Sequence, residues 1–140
     1  MRRSHALFIW LGLFVLLPLG APPKAETAAA RSVAVRLVDY RLLPSVTKLP
    51  AGPVTFAVHN TDNVPHNFVV LRTNIAPASL PVTGRHGRAE EVGRVGGTQV
   101  LYAEQTRRLT LNLSPGRYLL ICNVPGHFQR GMVAVLRVLQ

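Results

Sequence analysis

The chain has 140 residues, with 16 lysines and arginines against 6 acidic residues and a net charge of +10. That length fits one domain, and so basic a balance favours acidic proteins, anionic lipid or nucleic acid as partners. The single cysteine, Cys122, excludes an intramolecular disulfide, a four-cysteine zinc site and a four-cysteine iron–sulfur cluster.

The first thirty residues stand apart. Arg2 and Arg3 precede an apolar run from Ala6 to Leu17, which Pro18 and Gly20 close and small residues succeed. A basic start, an apolar middle and a small-residue exit form the layout of a secretory signal. Cleavage is expected after Ala25, with Ala30 as the other candidate. The competing reading is a retained membrane anchor, although Leu7 to Ala21 is short for a span of ~20 residues. Residues 1–30 are read as signal and short linker, and 31–140 as the folded domain. Without Arg2, Arg3, Lys24 and Glu26 that domain keeps 13 basic and 5 acidic residues, a net charge of +8. Its roughly 110 residues suffice for one hydrophobic core.

The domain reads as β throughout. Ser32–Asp39 alternates Val33, Val35 and Leu37 with smaller or polar neighbours, the pattern of a strand with one buried face. Asp39, Tyr40 and Tyr118 read as structural. Pro44, Pro50, Gly52 and Pro53 punctuate the next stretch. Val54–His59 sets Val54, Phe56 and Val58 on one face and leaves His59 on the solvated one. Asn60–Asn63 is a turn cluster, and His66–Leu71 a third strand. From Arg72 to Gly97 the period fails, with Pro77, Pro81 and glycines at 84, 87, 93, 96 and 97. This stretch is expected to be a surface loop with one helical turn at Ala89–Val92. Pattern resumes at Thr98–Tyr102, and Thr106–Leu113 places Leu109, Leu111 and Leu113 on one side. Ser114–Gly116 turns the chain, and Arg117–Cys122 and Met132–Leu139 are the last strands. Seven or eight short strands at this spacing predict an antiparallel sandwich or barrel.

Chemistry concentrates near the end, in Cys122-Asn-Val-Pro-Gly-His127-Phe-Gln-Arg-Gly-Met132. A thiolate, an imidazole and a thioether at five-residue intervals select copper over calcium, magnesium or manganese, which want oxygen donors. A blue-copper site needs a second imidazole, and His66, in Pro65-His66-Asn67, supplies it. Taken singly, each residue has an ordinary reading: a buried free thiol, a hydrogen-bonded histidine, a core methionine. The joint spacing carries the metal reading. His59 and His86 lie outside it. No paired carboxylates, nucleophile elbow, phosphate loop or nucleotide fingerprint is present, so an enzyme is not expected.

These motifs carry a family resemblance. The chain resembles the cupredoxins, the small blue-copper proteins that include plastocyanin, azurin, auracyanin and sulfocyanin, over roughly residues 33–139. The resemblance rests on Pro65-His66-Asn67, on Pro115-Gly116-x-Tyr118-x-x-x-Cys122, and on Cys122-x-x-Pro125-Gly126-His127-x-x-x-Gly131-Met132. Two four-residue gaps make the ligand loop most like that of auracyanin or sulfocyanin. The resemblance implies an all-β, Greek-key sandwich holding one copper ion that cycles between Cu(I) and Cu(II). It implies His66, Cys122, His127 and Met132 as ligands, with a long axial methionine that suits both oxidation states. By the same resemblance Asn67 ties the two ligand-bearing segments together by hydrogen bonds. Pro125 and Gly126 let the loop turn tightly, and Gly131 removes a side chain beside the axial ligand. Pro65, Pro125, Gly126 and Phe128 are expected to form an apolar rim around the His127 edge, through which cupredoxins pass electrons, with plain core packing as the equal alternative for Phe128.

The function these readings imply is a monomeric, exported, periplasmic one-electron carrier between transient, acidic redox proteins. Membrane anchoring by the N-terminal segment stays open. Nucleic acid is not an expected partner, because the arginines are scattered rather than clustered. Two alternatives use the same ligands: a copper carrier, chaperone or sensor, and an accessory copper subunit of a respiratory oxidase complex. Copper nitrite reductases and multicopper oxidases need more histidines than this chain has, and the binuclear oxidase centre needs a second cysteine.

Overall fold

A computed structural model describes residues 29–84 and 87–140. The secretory reading of the N-terminal segment, on residues 1–28, and His86 lie outside the described residues. No helix among the described residues is long and apolar enough to cross a membrane.

Those residues form nine strands and two short 3-10 turns. The strands are β1 (Arg31–Val38), β2 (Arg41–Pro44), β3 (Lys48–Pro50), β4 (Gly52–Asn60) and β5 (Val69–Arg72). After the irregular segment come β6 (Arg94–Gly97), β7 (Thr106–Leu113), β8 (Gly116–Ile121) and β9 (Val133–Leu139). They build an all-β sandwich of two sheets, ordered β2-β1-β4-β7 and β3-β9-β8-β5-β6. Most neighbours are antiparallel, as expected, but β1 pairs with β4 and β3 with β9 in parallel, so both sheets are mixed.

The alternation read from sequence is what closes the sandwich. Val33, Val35 and Leu37 of β1 and Val54, Phe56 and Val58 of β4 all face inward and are buried. Opposite them lie Tyr118, Leu120, Cys122, Met132 and Leu136 from the second sheet, in one continuous cluster. Each large aliphatic side chain so buried contributes about 1.5–3 kcal/mol.

Strand β8 is buried on both faces, because Leu119 and Ile121 point away from the main core into a second cluster. The irregular segment supplies its cover: Leu80 and Ala89 are buried there beside Val69, Leu71 and Phe128. The expected helical turn at Ala89–Val92 is absent. Ala89 makes a bridge to Val82, and the Glu90 N–H donates to the Pro81 carbonyl at 2.8 Å, which holds the chain extended. The 3-10 turn lies instead at Pro77–Ser79, where proline sits in the first turn, the helical position that tolerates its missing N–H.

Two other expected elements shorten. The third strand starts at Val69 rather than His66, because His66 leaves the ladder for a bridge to Leu101. Within Thr98–Tyr102 only Leu101 bridges. Between β1 and β2, Asp39 and Tyr40 both have positive φ, 47° and 56°, the backbone of a type I′ hairpin turn.

Candidate metal centre

Cys122 continues inward from the end of β8, and its N–H donates to the Met132 carbonyl at 3.1 Å. The β8–β9 ladder thereby extends one step past the Ile121–Val133 pair and sets the two sulfur residues side by side in register. Between them the chain makes one compact excursion. The His127 N–H donates to the Val124 carbonyl at 3.0 Å, and the Met132 N–H to the His127 carbonyl at 3.3 Å. Gly126 and Gly131 have φ of 81° and 95°, and a Cβ at either would meet open space. Glycine is there for its left-handed backbone and not for room. Gly131 also ends the 3-10 turn Phe128–Arg130.

His66 arrives from the other side of the chain. It exchanges two backbone hydrogen bonds with Leu101, 3.0 and 2.6 Å long. Asn60, fully buried, donates through Nδ2 to the Val64 and Leu101 carbonyls at 2.9 and 3.0 Å. The segment before His66 is thus fixed at both ends.

The side chains converge. His66 Nδ1 and His127 Nδ1 are 3.1 Å apart, and Cys122 Sγ lies 3.8 Å from the first and 3.6 Å from the second. All three donor atoms fall within 4.8 Å of one another. Around a three-coordinate ion, bonds of roughly 2.0 Å to imidazole and 2.3 Å to thiolate leave donors roughly 3.5–3.8 Å apart, close to these separations. Met132 is fully buried in the same cluster as Cys122. A buried thiol, two imidazoles and a thioether are soft and borderline donors, and that set suits copper.

Burial pushes the His127 pKa below its usual 6.5; the neighbouring His66 and Arg130 act in the same direction and Asp62 in the other. Burial also raises the Cys122 thiol, although the N–H groups of Val124 and Asn67 act the other way. A metal ion must therefore displace the thiol proton.

Asn67 joins both ligand segments: its N–H points at Cys122 Sγ, 3.4 Å away, and its Oδ1 accepts the Asn123 N–H at 2.6 Å. Pro65 and Pro125 are exposed and Gly126 half-buried beside His127, which is 8% exposed. Phe128 does not join that rim. It is buried against Leu80, Ala89 and Ile121 in the outer cluster, because the 3-10 turn after His127 rotates the next side chain to the opposite face of the sheet. His59 also stays apart and pairs with Glu104 at 3.4 Å.

Three contributors were not read from the sequence as part of the site. Asp62 Oδ2 lies 3.3 Å from His66 Nε2; a carboxylate four residues before a candidate ligand was the available signal. Tyr40 stands edge-on to both imidazoles, with ring centroids 5.0 Å from His127 and 6.2 Å from His66, and Arg130 stacks 4.3 Å over its ring. Asn123 grips the irregular segment, accepting the Ala89 N–H at 2.8 Å and donating to the Ala89 carbonyl at 3.0 Å and Glu91 Oε1 at 2.9 Å. The Gly126 N–H adds a bond to the Gly87 carbonyl at 3.1 Å.

Sandwich and donor set define the class: a small β protein with a buried sulfur–imidazole centre. The chain belongs to the cupredoxin-like domain family, whose profile matches residues 6–135. Among solved structures it is similar to dithionite-reduced auracyanin from the photosynthetic bacterium Roseiflexus castenholzii, with 20% identity over 80% of this chain and 99% of that one and a TM-score of 0.61. Auracyanin A of Chloroflexus aurantiacus, described as a "blue" copper protein, shares 22% identity over 79% and 100% of the two chains, with a TM-score of 0.58. Rusticyanin from Thiobacillus ferrooxidans shares 18% over 77% and 76%, with a TM-score of 0.59. At these identities the likeness is one of fold. No curated protein matches the chain.

Proposed function

We propose that this protein is an exported one-electron carrier that holds one copper ion on His66, Cys122, His127 and Met132 and passes electrons between protein partners in the periplasm. The observation that carries this reading is the convergence of two Nδ1 atoms and one Sγ within 4.8 Å in a buried pocket. When bound, copper would supply a Cu(I)/Cu(II) couple, and a donor set of two imidazoles, a thiolate and a thioether would suit both states.

The chain's own residues do the rest. Cys122 binds as the thiolate after releasing its proton, and its burial shields the sulfur from the oxidation an exposed thiol suffers outside the cytoplasm. Strands β8 and β9 fix Cys122 and Met132 against each other, so the ligands keep one arrangement in both oxidation states. His127 has the only edge near solvent among the four, and Pro65, next to His66, and Pro125, two residues before His127, are exposed. That edge is the electron port, and the prolines are the contact surface. A net charge of +8 on residues 31–140 steers a monomer towards acidic, transient partners, at rates that fall as salt rises. The N-terminal segment serves export, or holds the carrier at the membrane.

Complete burial of His66, Cys122 and Met132 supports retention of the metal, and so favours an electron carrier over a copper chaperone or sensor. The test is to load the full chain with Cu(II), record the copper–thiolate absorption, and reduce and reoxidise repeatedly. One copper per chain and a colour that returns undiminished are expected. Colourless protein that gives up Cu(I) at each reduction would refute an electron carrier and point to trafficking.

A further inference from the structure

Asp62 is placed to act on the metal centre without belonging to it. Its carboxylate is held on both oxygens. Oδ1 accepts the Val64 N–H at 3.2 Å, and Oδ2 accepts the Asp39 N–H at 3.1 Å. Its own N–H donates to the Oδ1 of buried Asn60 at 2.9 Å. The side chain is only 16% exposed, and Oδ2 meets the Nε2 of the fully buried His66 at 3.3 Å. A surface ion pair between mobile side chains is worth little; this one joins a side chain pinned by backbone to a ring fixed by the core.

Chemistry alone gives two consequences. An ionised carboxylate only accepts hydrogen bonds, so His66 must carry its proton on Nε2. Its Nδ1 then holds a lone pair, aimed at the point shared with Cys122 Sγ and His127 Nδ1. Second, an anion on the far side of a ligand imidazole makes that ligand a stronger donor. It favours the more highly charged oxidation state of the ion by simple Coulomb attraction in a poorly solvated site. The same oxygen also fastens the Asp39–Tyr40 turn, whose positive φ angles of 47° and 56° need such an anchor. That turn sets Tyr40 against both imidazoles.

We propose that Asp62 is a positioning residue that fixes His66 as the Nε2–H tautomer, leaving Nδ1 for the metal, and that its charge holds the reduction potential of the centre below the value a neutral partner would give. The claim about potential rests on the proposed copper centre; the claim about the tautomer does not.

The experiment compares wild type, Asp62→Asn, Asp62→Ala and the control Glu104→Gln, which removes an equal charge from the exposed carboxylate beside His59, each as the full chain. For the copper-loaded protein, Asp62→Asn should keep the blue absorption and move the Cu(II)/Cu(I) equilibrium about tenfold towards Cu(I), or about 59 mV for one electron. Glu104→Gln should move it far less. Copper affinity should fall by about 10–100-fold in Asp62→Ala. In the metal-free wild type, two-bond 1H–15N spectra should show His66 with its proton on Nε2, and Asp62→Ala should lose that preference. An Asp62→Asn potential equal to wild type, or a metal-free wild-type His66 protonated on Nδ1, overturns the proposal. If the variants fail to fold, the wild-type tautomer decides it. If wild type binds no copper, the carrier reading fails, and the tautomer measurement alone judges the role of Asp62.

Discussion

His66 and His127 present the same atom, Nδ1, to the same point, yet the chain holds them by different means. His127 sits in the excursion between β8 and β9, braced by its neighbours in sequence and 8% exposed. His66 is fully buried and owes its place to a bridge with distant Leu101, to Asn60, whose amide joins the Val64 and Leu101 carbonyls, and to Asp62 at its ring nitrogen. Local geometry sets one imidazole, and the folded sandwich sets the other. The first keeps an edge near solvent, and the second has none.

The sharpest way to break this comparison is at the loop's own sulfur. Cys122→Ser should abolish the copper–thiolate absorption completely while the sandwich persists, as circular dichroism would report. A retained blue band would refute the ligand assignment. Removing the scaffold of the other imidazole tests the fold-held half. Asn60→Ala leaves the Val64 carbonyl and the Asp62 N–H without their partner and takes one of two donors, Asn60 and the His66 N–H, from the Leu101 carbonyl. It should cost about 3 kcal/mol in denaturant unfolding and weaken metal uptake although no ligand is touched. Leu80→Ala, in the cover over β8, should cost about 2–4 kcal/mol and leave the absorption spectrum in place. Met132→Leu should keep the colour and raise the potential, because a thioether donor at a copper–thiolate centre would tune the couple.

The smallest expected effect is one of pH on the metal-free protein. His127 is held below its usual 6.5 in the folded state, so below that pH the unfolded chain binds the proton more readily, and stability falls as pH drops. Asp62 acts in a lower window. Burial pushes its pKa up, but the Val64 N–H, His66 and the Asp39 N–H outweigh this and hold it below 3.8. Its contribution is present above that value and disappears as pH falls through the lower folded pKa. Denaturation midpoints between pH 7 and 3, with and without copper, check both signs. Bound metal should flatten the His127 part.

Legibility in the sequence divides along the same line. The ligand loop declares itself because its donors are contiguous and unusual in kind. The inner faces of β1, β4 and β7 show in the alternation of Val33-Val35-Leu37, Val54-Phe56-Val58 and Leu109-Leu111-Leu113. Asp62 was hidden by its own local role: its Oδ1 on the Val64 N–H is an ordinary Asx turn, which masks the one signal on offer, its place four residues before His66. Tyr40 occupies a hairpin position where asparagine and glycine are the recognisable residues, so neither the turn nor the ring it presents was foreseeable. Phe128 stands in a single 3-10 turn, too short for any periodicity to say which face it takes.

The grip of Asn123 on Ala89 and Glu91 bears on transplantation. Residues 122–132 moved alone into another sandwich would carry an amide whose complement stays behind, since Asn123 reads both the N–H and the carbonyl of Ala89 as one strand reads another. The portable module is therefore two pieces, the loop with its donors and the strip at 87–91. Variation in that strip is felt one residue away from the thiolate.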